Sequence, residues 1–156
     1  MRHVSEINSS RAVDVPLSIV TEYLDAIGEV DSERMEALQT DDFMLDFVHR
    51  DAFAQAPLTQ KDAAVFWTAW FAAFPEMDFH VTRTIVTDQV VVTEWIFTGI
   101  HTGSLEPPVF EKCIPPTGKT IKFRGVSIYE LHEGHIQCLQ MYLDMATVLV
   151  ELGVTL

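Results

Sequence analysis

The stretch His135-Ile136-Gln137-Cys138-Leu139-Gln140-Met141-Tyr142-Leu143-Asp144 decides how the chain is read. It alternates like a β-strand, which predicts that Ile136, Cys138, Gln140, Tyr142 and Asp144 share one face. Met145, Val148, Leu149 and Leu152 then follow at helical spacing. Asp144 therefore stands where a strand hands over to a short closing helix. Two roles suit it. Asp is a preferred helix N-cap. An acid among Tyr142 and apolar neighbours also has a raised expected pKa, because burial disfavours its charge, and such a group exchanges protons near neutrality. Position alone leaves both roles open.

Upstream, Lys119–His132 reads as a strand joined to this one by a tight Glu133-Gly134 turn, and Gln89–His101 as another, rich in Val, Thr, Trp, Ile and Phe. On the latter, Thr93, Trp95, Phe97, Gly99 and His101 share one face; Glu94, Ile96, Thr98 and Ile100 share the other. Between these two strands, Gly103–Gly118 carries four prolines and Cys113, a length typical of a lid or an interface element. Phe79, Val81 and Ile85 mark an earlier strand, on which His80 is expected to face out. Ahead of it, Ala63, Phe66, Trp67, Trp70, Phe71 and Phe74 fall at helical spacing behind a Thr59/Asp62 capping pair, and Pro75 ends that helix. Phe43–His49 is a short strand whose buried face periodicity does not decide.

Nearer the N-terminus, Asp14 is placed to cap a helix with Pro16 in its first turn, an apolar stripe of Leu17, Val20, Leu24 and Ile27, Tyr23 beside it, and Gly28 at its end. Asp31 is placed to cap a second helix bearing Met35 and Leu38. Met1–Val13 reads as a flexible tail before a single domain over 14–156. Helices first, then antiparallel strands, then a small helix predict an α+β domain with helices on one face of a curved sheet.

The chain has 156 residues, enough for one substantial core, and its 48% apolar content argues against disorder. The formal charge of -13 argues against nucleic acid and anionic membrane surfaces as partners. No apolar run reaches bilayer-spanning length, and no apolar signal core precedes Val13. Cys113 and Cys138 form no metal or redox spacing, so a reducing cytoplasm is the expected location. His132 and His135 flank a turn without carboxylate support, so no metal site is expected.

Several motifs now combine. Ala72-Ala-Phe-Pro-Glu-Met-Asp-Phe79, Trp95-Ile-Phe-Thr-Gly-Ile-His-Thr-Gly103, Pro116-Thr-Gly-Lys-Thr-Ile-Lys-Phe-Arg-Gly125, Glu133-Gly134 and Tyr142-Leu-Asp144 together resemble the SnoaL-like polyketide cyclase and ester cyclase branch of the NTF2-like superfamily. The resemblance implies an NTF2-like cone: a curved antiparallel sheet wrapped around N-terminal helices, with a deep apolar pocket at its open end. It implies a homodimer or higher homo-oligomer. It also implies cofactor-independent chemistry on a hydrophobic carbonyl compound of polyketide or terpenoid type, with Asp144 as general acid/base. The similar limonene epoxide hydrolases add an Arg and a second Asp at positions that hold Trp95 and Phe97 here, which argues against their three-residue mechanism.

The candidate catalytic set is accordingly Asp144, His49, His101 and Tyr142. The candidate substrate-binding set is Tyr23, Phe47, Trp67, Trp95, Phe97, Arg124, Cys138 and Gln140. Each has a bland alternative. The histidines also suit strand ends, Tyr23 and Tyr142 suit a core whose hydroxyls reach the rim, and Trp67 suits the core beside Trp70. Arg124 suits a cross-strand pair with Glu94, and Cys138 suits packing. Two further functions stay open: a non-catalytic ligand-binding or dimerisation module, since fold does not fix function, and a lactone, ester or epoxide hydrolase.

Overall fold

The computed structural model describes residues 4–48 and 54–154, with side chains from residue 13 onward. Four helices and six strands follow in the order α1 (Val4–Gly28), α2 (Ser32–Ala37), β1 (Gln39–Val48), β2 (Leu58–Thr59), α3 (Gln60–Ala73), β3 (Met77–Val86), β4 (Val90–Ile100), β5 (Thr120–His132), β6 (His135–Leu143) and α4 (Met145–Leu152). The strands form one sheet in the order β2-β1-β6-β5-β4-β3. The mixed α+β architecture, with a curved six-stranded sheet and helices leading the chain, is the expected one.

Local chemistry explains most element ends. The Thr59 hydroxyl accepts from the Asp62 N–H at 3.3 Å and opens α3. Asp31 does the same for α2 through the Arg34 N–H at 3.1 Å. Glu133 and Gly134 both take positive φ, 48° and 78°, which suits a two-residue hairpin. Gly153, at φ 80°, closes α4 in the left-handed conformation that glycine adopts without steric cost.

Helix α1 starts well before the expected Asp14 cap, and Pro16 lies inside it rather than in its first turn. Proline there removes one intrahelical hydrogen bond. Of the expected stripe Val20 and Ile27 are buried, with Tyr23 and Ala26 beside them, while Leu24 is half-buried and Leu17 exposed. On α3, Ala63, Phe66, Trp67, Trp70 and Phe71 are buried against the concave face of the sheet. Removing a ring of this size from such a core typically costs about 3–5 kcal/mol.

The sheet departs from simple antiparallel alternation in the β1–β6 pairing and at register shifts in β1–β6, β3–β4 and β5–β6, of which two bear on the site. β1 pairs parallel to β6, while every other pairing is antiparallel. This links the first strand to the last, and it sets the face of β1: Phe43, Leu45 and Phe47 point inward with Leu139 and Met141. The β5–β6 register also shifts between the Leu131–Ile136 and Glu130–Cys138 pairs. That extra residue reverses parity along the rest of β6.

The connection 101–119 is packed down. Leu105 and Val109 are buried, Leu105 and Ile114 bridge, and the N–H groups of Thr102 and Gly103 both donate to the Ala73 carbonyl. A Cβ on Gly103 would lie 1.9 Å from the Ala72 oxygen, so only glycine permits this approach to the end of α3. Among the described residues no helix is long and apolar enough to cross a membrane.

Candidate functional site

An aromatic cleft lies between α3 and the concave sheet. Helix α3 contributes Phe66, Trp67 and Trp70. The sheet contributes Phe47 from β1, Phe79 from β3, Trp95 from β4, Phe123 from β5, and Met141 and Leu143 from β6. The rings interlock: Phe47–Phe66 centroids lie 4.6 Å apart, Phe79–Trp95 5.1 Å and Trp70–Phe97 5.3 Å. The free space left between these side chains is about 10 Å³. That is room for about one water. A larger guest requires side chains to move, and Phe47, Phe79 and Leu143 are the half-buried members of the lining.

A wider groove of about 550 Å³ runs between α1 and β3, with Leu17, Val20 and Leu24 facing Phe79 and Val81, and Asp25, Glu29 and Asp78 also on its walls. It is open to solvent and about equally polar and apolar. The aromatic cleft is the more apolar of the two.

The expected inward parity of β4 is present: Trp95 and Phe97 are buried on the concave side. Trp95 is fixed from two directions. Its Nε1 donates to Ser127 Oγ at 2.8 Å. Its ring also lies across Gly125, where a Cβ would come within 2.5 Å of two indole carbons. Phe97 packs behind the cleft against Trp70, Phe74 and Phe123 and is not itself among the lining residues.

The expected common face on β6 is corrected. The register shift turns Leu139 and Met141 inward, and Cys138, Gln140 and Tyr142 take the opposite side. Tyr142 is 44% exposed there, in line with Val48 and Val126 on the neighbouring strands. Burial, with Glu130 and then Asp46 nearby, pushes the Cys138 thiol up, which disfavours a thiolate. Arg124 is also exposed, and its ladder partner is Ile96. The expected Arg124–Glu94 pair is absent, because Glu94 lies opposite Val126 and pairs with Arg83 at 3.2 Å.

Asp144 caps α4. Its Oδ1 accepts from the Thr147 N–H at 3.2 Å and its Oδ2 from the Thr147 hydroxyl at 2.7 Å. These hydrogen bonds hold its carboxyl below the usual carboxylate range; partial burial opposes them, and Arg124 adds a smaller push in the same direction. The expected raised pKa is therefore overturned. Charge-stabilising hydrogen bonds outweigh desolvation on a half-buried group. Asp144 directly follows Leu143, the last cleft residue of β6, and is not itself part of the lining.

His101 is fully buried beyond the end of β4. The Thr117 N–H donates to its Nδ1 at 3.2 Å, so Nε2 carries the proton. Its backbone also binds Gly118 and Lys119, and its ring packs on Phe74 at 5.4 Å. Burial lowers its pKa, partly offset by a backbone interaction with Gly103. A neutral histidine in this position anchors the 101–119 connection, away from the cleft lining. His49 lies outside the described residues.

Tyr23 is buried in a polar chain that the sequence does not announce. Gln39 Nε2 donates to its oxygen at 3.2 Å, and Gln60 Nε2 donates to Gln39 Oε1 at 3.2 Å. Its ring meets Tyr129 edge-on at 6.0 Å. Burial, reinforced by Tyr129, raises the Tyr23 phenol far above its ordinary value. Phe123, Ser127 and Tyr129 share the inward parity of β5, the signal by which they could have been found. Among the described residues no group of three or more His, Cys, Asp and Glu side chains could hold a metal ion.

Residues 18–152 match the profile of the SnoaL-like polyketide cyclases. No curated protein matches. Among solved structures, a protein from Jannaschia sp. CCS1, provisionally described as a SnoaL-like polyketide cyclase, superposes with a TM-score of 0.77 at 18% identity, over 92% of this chain and 95% of that one. IdmH from Streptomyces antibioticus, provisionally described as a polyketide cyclase, gives 0.71 at 22%, over 89% and 99%. AclR from Streptomyces galilaeus, provisionally described as a hydroxylase, gives 0.74 at 17%, over 89% and 85%. At these identities the three establish a common fold.

Proposed function

The chain belongs to the SnoaL-like polyketide cyclase family, and from that premise we propose that it is a cofactor-independent enzyme of the cyclase or isomerase type. Its substrate is a hydrophobic, flat carbonyl compound of polyketide or terpenoid kind. The observation that carries this reading is the aromatic cleft whose lining includes Leu143, one residue before a carboxylate.

Asp144 is the proposed acid/base. Ionised and held by Thr147, it is a weak base in water. A hydrophobic guest that displaces water from it raises its basicity, because desolvation disfavours the charge. The carboxylate then takes a proton α to the substrate carbonyl. The C–H electrons pass to the enolate oxygen, the enolate carbon attacks a second carbonyl of the same molecule, and Asp144 returns the proton to the new alkoxide. In an isomerisation the proton returns to a different carbon. His49 remains a proposed orienting group.

A second reading is a non-catalytic module that binds a hydrophobic ligand. It is favoured by the full use of both Asp144 oxygens in capping α4.

Exchange of the α-protons of 2-tetralone in D2O, followed by NMR, separates the two. Wild-type protein should accelerate exchange. Asp144→Asn should lose about a hundred- to ten-thousand-fold of that acceleration, the usual contribution of a positioned acid/base, while still binding the ketone. Binding without acceleration by the wild type would establish the module instead. Undiminished exchange in Asp144→Asn would reduce Asp144 to a helix cap.

A further inference from the structure

The cleft leaves about 10 Å³ free, too little for a flat organic guest. The open groove between α1 and β3 has about 550 Å³, within the span of roughly 300–1,000 Å³ usual for small-molecule pockets. Among the described residues the two linings share one side chain, Phe79. Its ring therefore stands between them.

The neighbouring walls are held. Trp95 is fixed by Ser127 and by its place over Gly125. Trp70 is wedged among Phe74, Phe97 and Phe123, and Phe47 rests on Phe66 of α3 at 4.6 Å. Phe79 has looser surroundings. It is half-buried, and it sits on β3, which ends the sheet and pairs with β4 alone. Both of its ring contacts come from β4, edge-on to Trp95 and to Phe97 at 5.1 Å each. A strand with one neighbour is restrained from one side only, and local rearrangement there costs less than in the middle of a sheet.

A turn of the Phe79 side chain carries its ring out of the cleft and into the groove. Leu17, Val20 and Leu24 of α1 form an apolar wall there to receive it. The ring exchanges one apolar contact for another, so the swing does not cost the exposure of its whole surface. Resting on the reading of the cleft as the ligand site, we propose that Phe79 is the gate of that site. A flat guest enters from the α1–β3 groove, displaces the ring and takes its place against Trp95. The size of residue 79 then sets how fast a guest enters.

In the competing arrangement Phe79 is a fixed wall at the sheet edge, one side of which happens to face a surface groove. A guest then enters elsewhere, and the ring keeps its contacts with Trp95 and Phe97 throughout.

Association of 2-tetralone, followed by stopped-flow quenching of tryptophan emission, tests the gate. Phe79→Leu should bind the ketone about tenfold faster than the wild type, inside the roughly one to three decades that association rates span among variants of one site. Leu24→Phe adds bulk to the groove wall that faces the gate and lies outside the cleft lining, and it should slow binding by a similar factor. A second measurement needs no weakened variant. In wild-type protein with labelled phenylalanine rings, Phe79→Tyr keeps a ring and assigns the Phe79 signal among ten. The nuclear Overhauser contact between the Phe79 ring and the Trp95 indole should be present in the free protein and vanish at saturating ketone. A contact that persists at saturation, or equal association rates in all three proteins, would overturn the proposal and leave the cleft as a ligand site. Faster binding in Phe79→Leu without slower binding in Leu24→Phe would also overturn it, as a general loosening of β3. Failure of the ketone to bind the wild type would overturn the proposal together with the reading on which it rests.

Discussion

Asp144 uses both oxygens on one residue: Thr147 donates its N–H to Oδ1 and its hydroxyl to Oδ2. The position of Asp144 between strand and helix was legible in the sequence, and so was its capping chemistry. The sign of its pKa shift was not, because that depends on a hydroxyl reaching back from the first turn of α4. The sign has a measurable consequence. The folded-state pKa lies below the unfolded one, so the unfolded chain binds more protons as the pH falls. Ionised Asp144 therefore stabilises the native state above its unfolded pKa, about 3.9, and this is lost as pH falls through the lower folded value. Asp144→Asn keeps a capping oxygen but loses the charge. It should melt below the wild type at pH 7, and the gap should close on acidification below about pH 3.9. A higher melting temperature for the variant at pH 7 would mean that the native carboxyl is raised.

At the level of elements, α3 and β4 were readable because each is governed by its own period. Thr59 caps, Pro75 stops, and the ring spacing between them puts Phe66, Trp67 and Trp70 inside. Strict alternation along β4 likewise puts Trp95 and Phe97 inside. β6 misled because one extra residue in its pairing with β5 swaps faces, and nothing in His135–Leu143 announces it. β1 was undecidable alone; a parallel partner far away in sequence settled Phe47. Six cleft residues went unnoticed as such: Phe66 and Trp70 lie on α3 and Phe79 on β3, where periodicity gives burial but not a cleft, while Phe123, Met141 and Leu143 come from the two strands whose mutual register was misjudged or unused. Gly125 ties three of these strands together. A Cβ there would meet Trp95 ring carbons of β4 at 2.5 Å and the Tyr142 carbonyl oxygen of β6 at 2.6 Å. The backbone contact cannot rotate away. Gly125→Ala should cost about 1–3 kcal/mol, as overpacking usually does. It should also dislodge the Trp95 indole from Ser127 and shift the tryptophan emission. Unchanged stability and emission would show that β5 has slack.

Among the described residues, the convex side of the sheet carries a partly exposed apolar patch. Val48, Tyr142 and Val126 lie side by side across β1, β6 and β5, and the next row sets Gln140 beside Ile128 and Val92. Tyr142 and Met44, at 44% and 37% exposed, are large side chains for an open surface. Asp46, Glu94 and Glu130 stand around this patch. Apolar centre and charged rim are the anatomy of an interface. The homodimer expected from the family resemblance is therefore proposed to form through this face, with Tyr142 near its middle. This gives Tyr142 a role that its outward direction allows, in place of the assisting phenol first expected. Two copies with a formal charge of -13 each also repel. Added salt screens that repulsion and leaves apolar burial intact, so association should tighten as ionic strength rises. Light scattering at micromolar concentration should give a dimer mass for the wild type, and Tyr142→Lys should give a monomer whose melting temperature no longer depends on protein concentration. A wild-type monomer at high salt would sink the interface. A dimer unaffected by Tyr142→Lys would move it to another surface, and the exposed valines of α1 and α4, Val15 and Val150, would be the next to test.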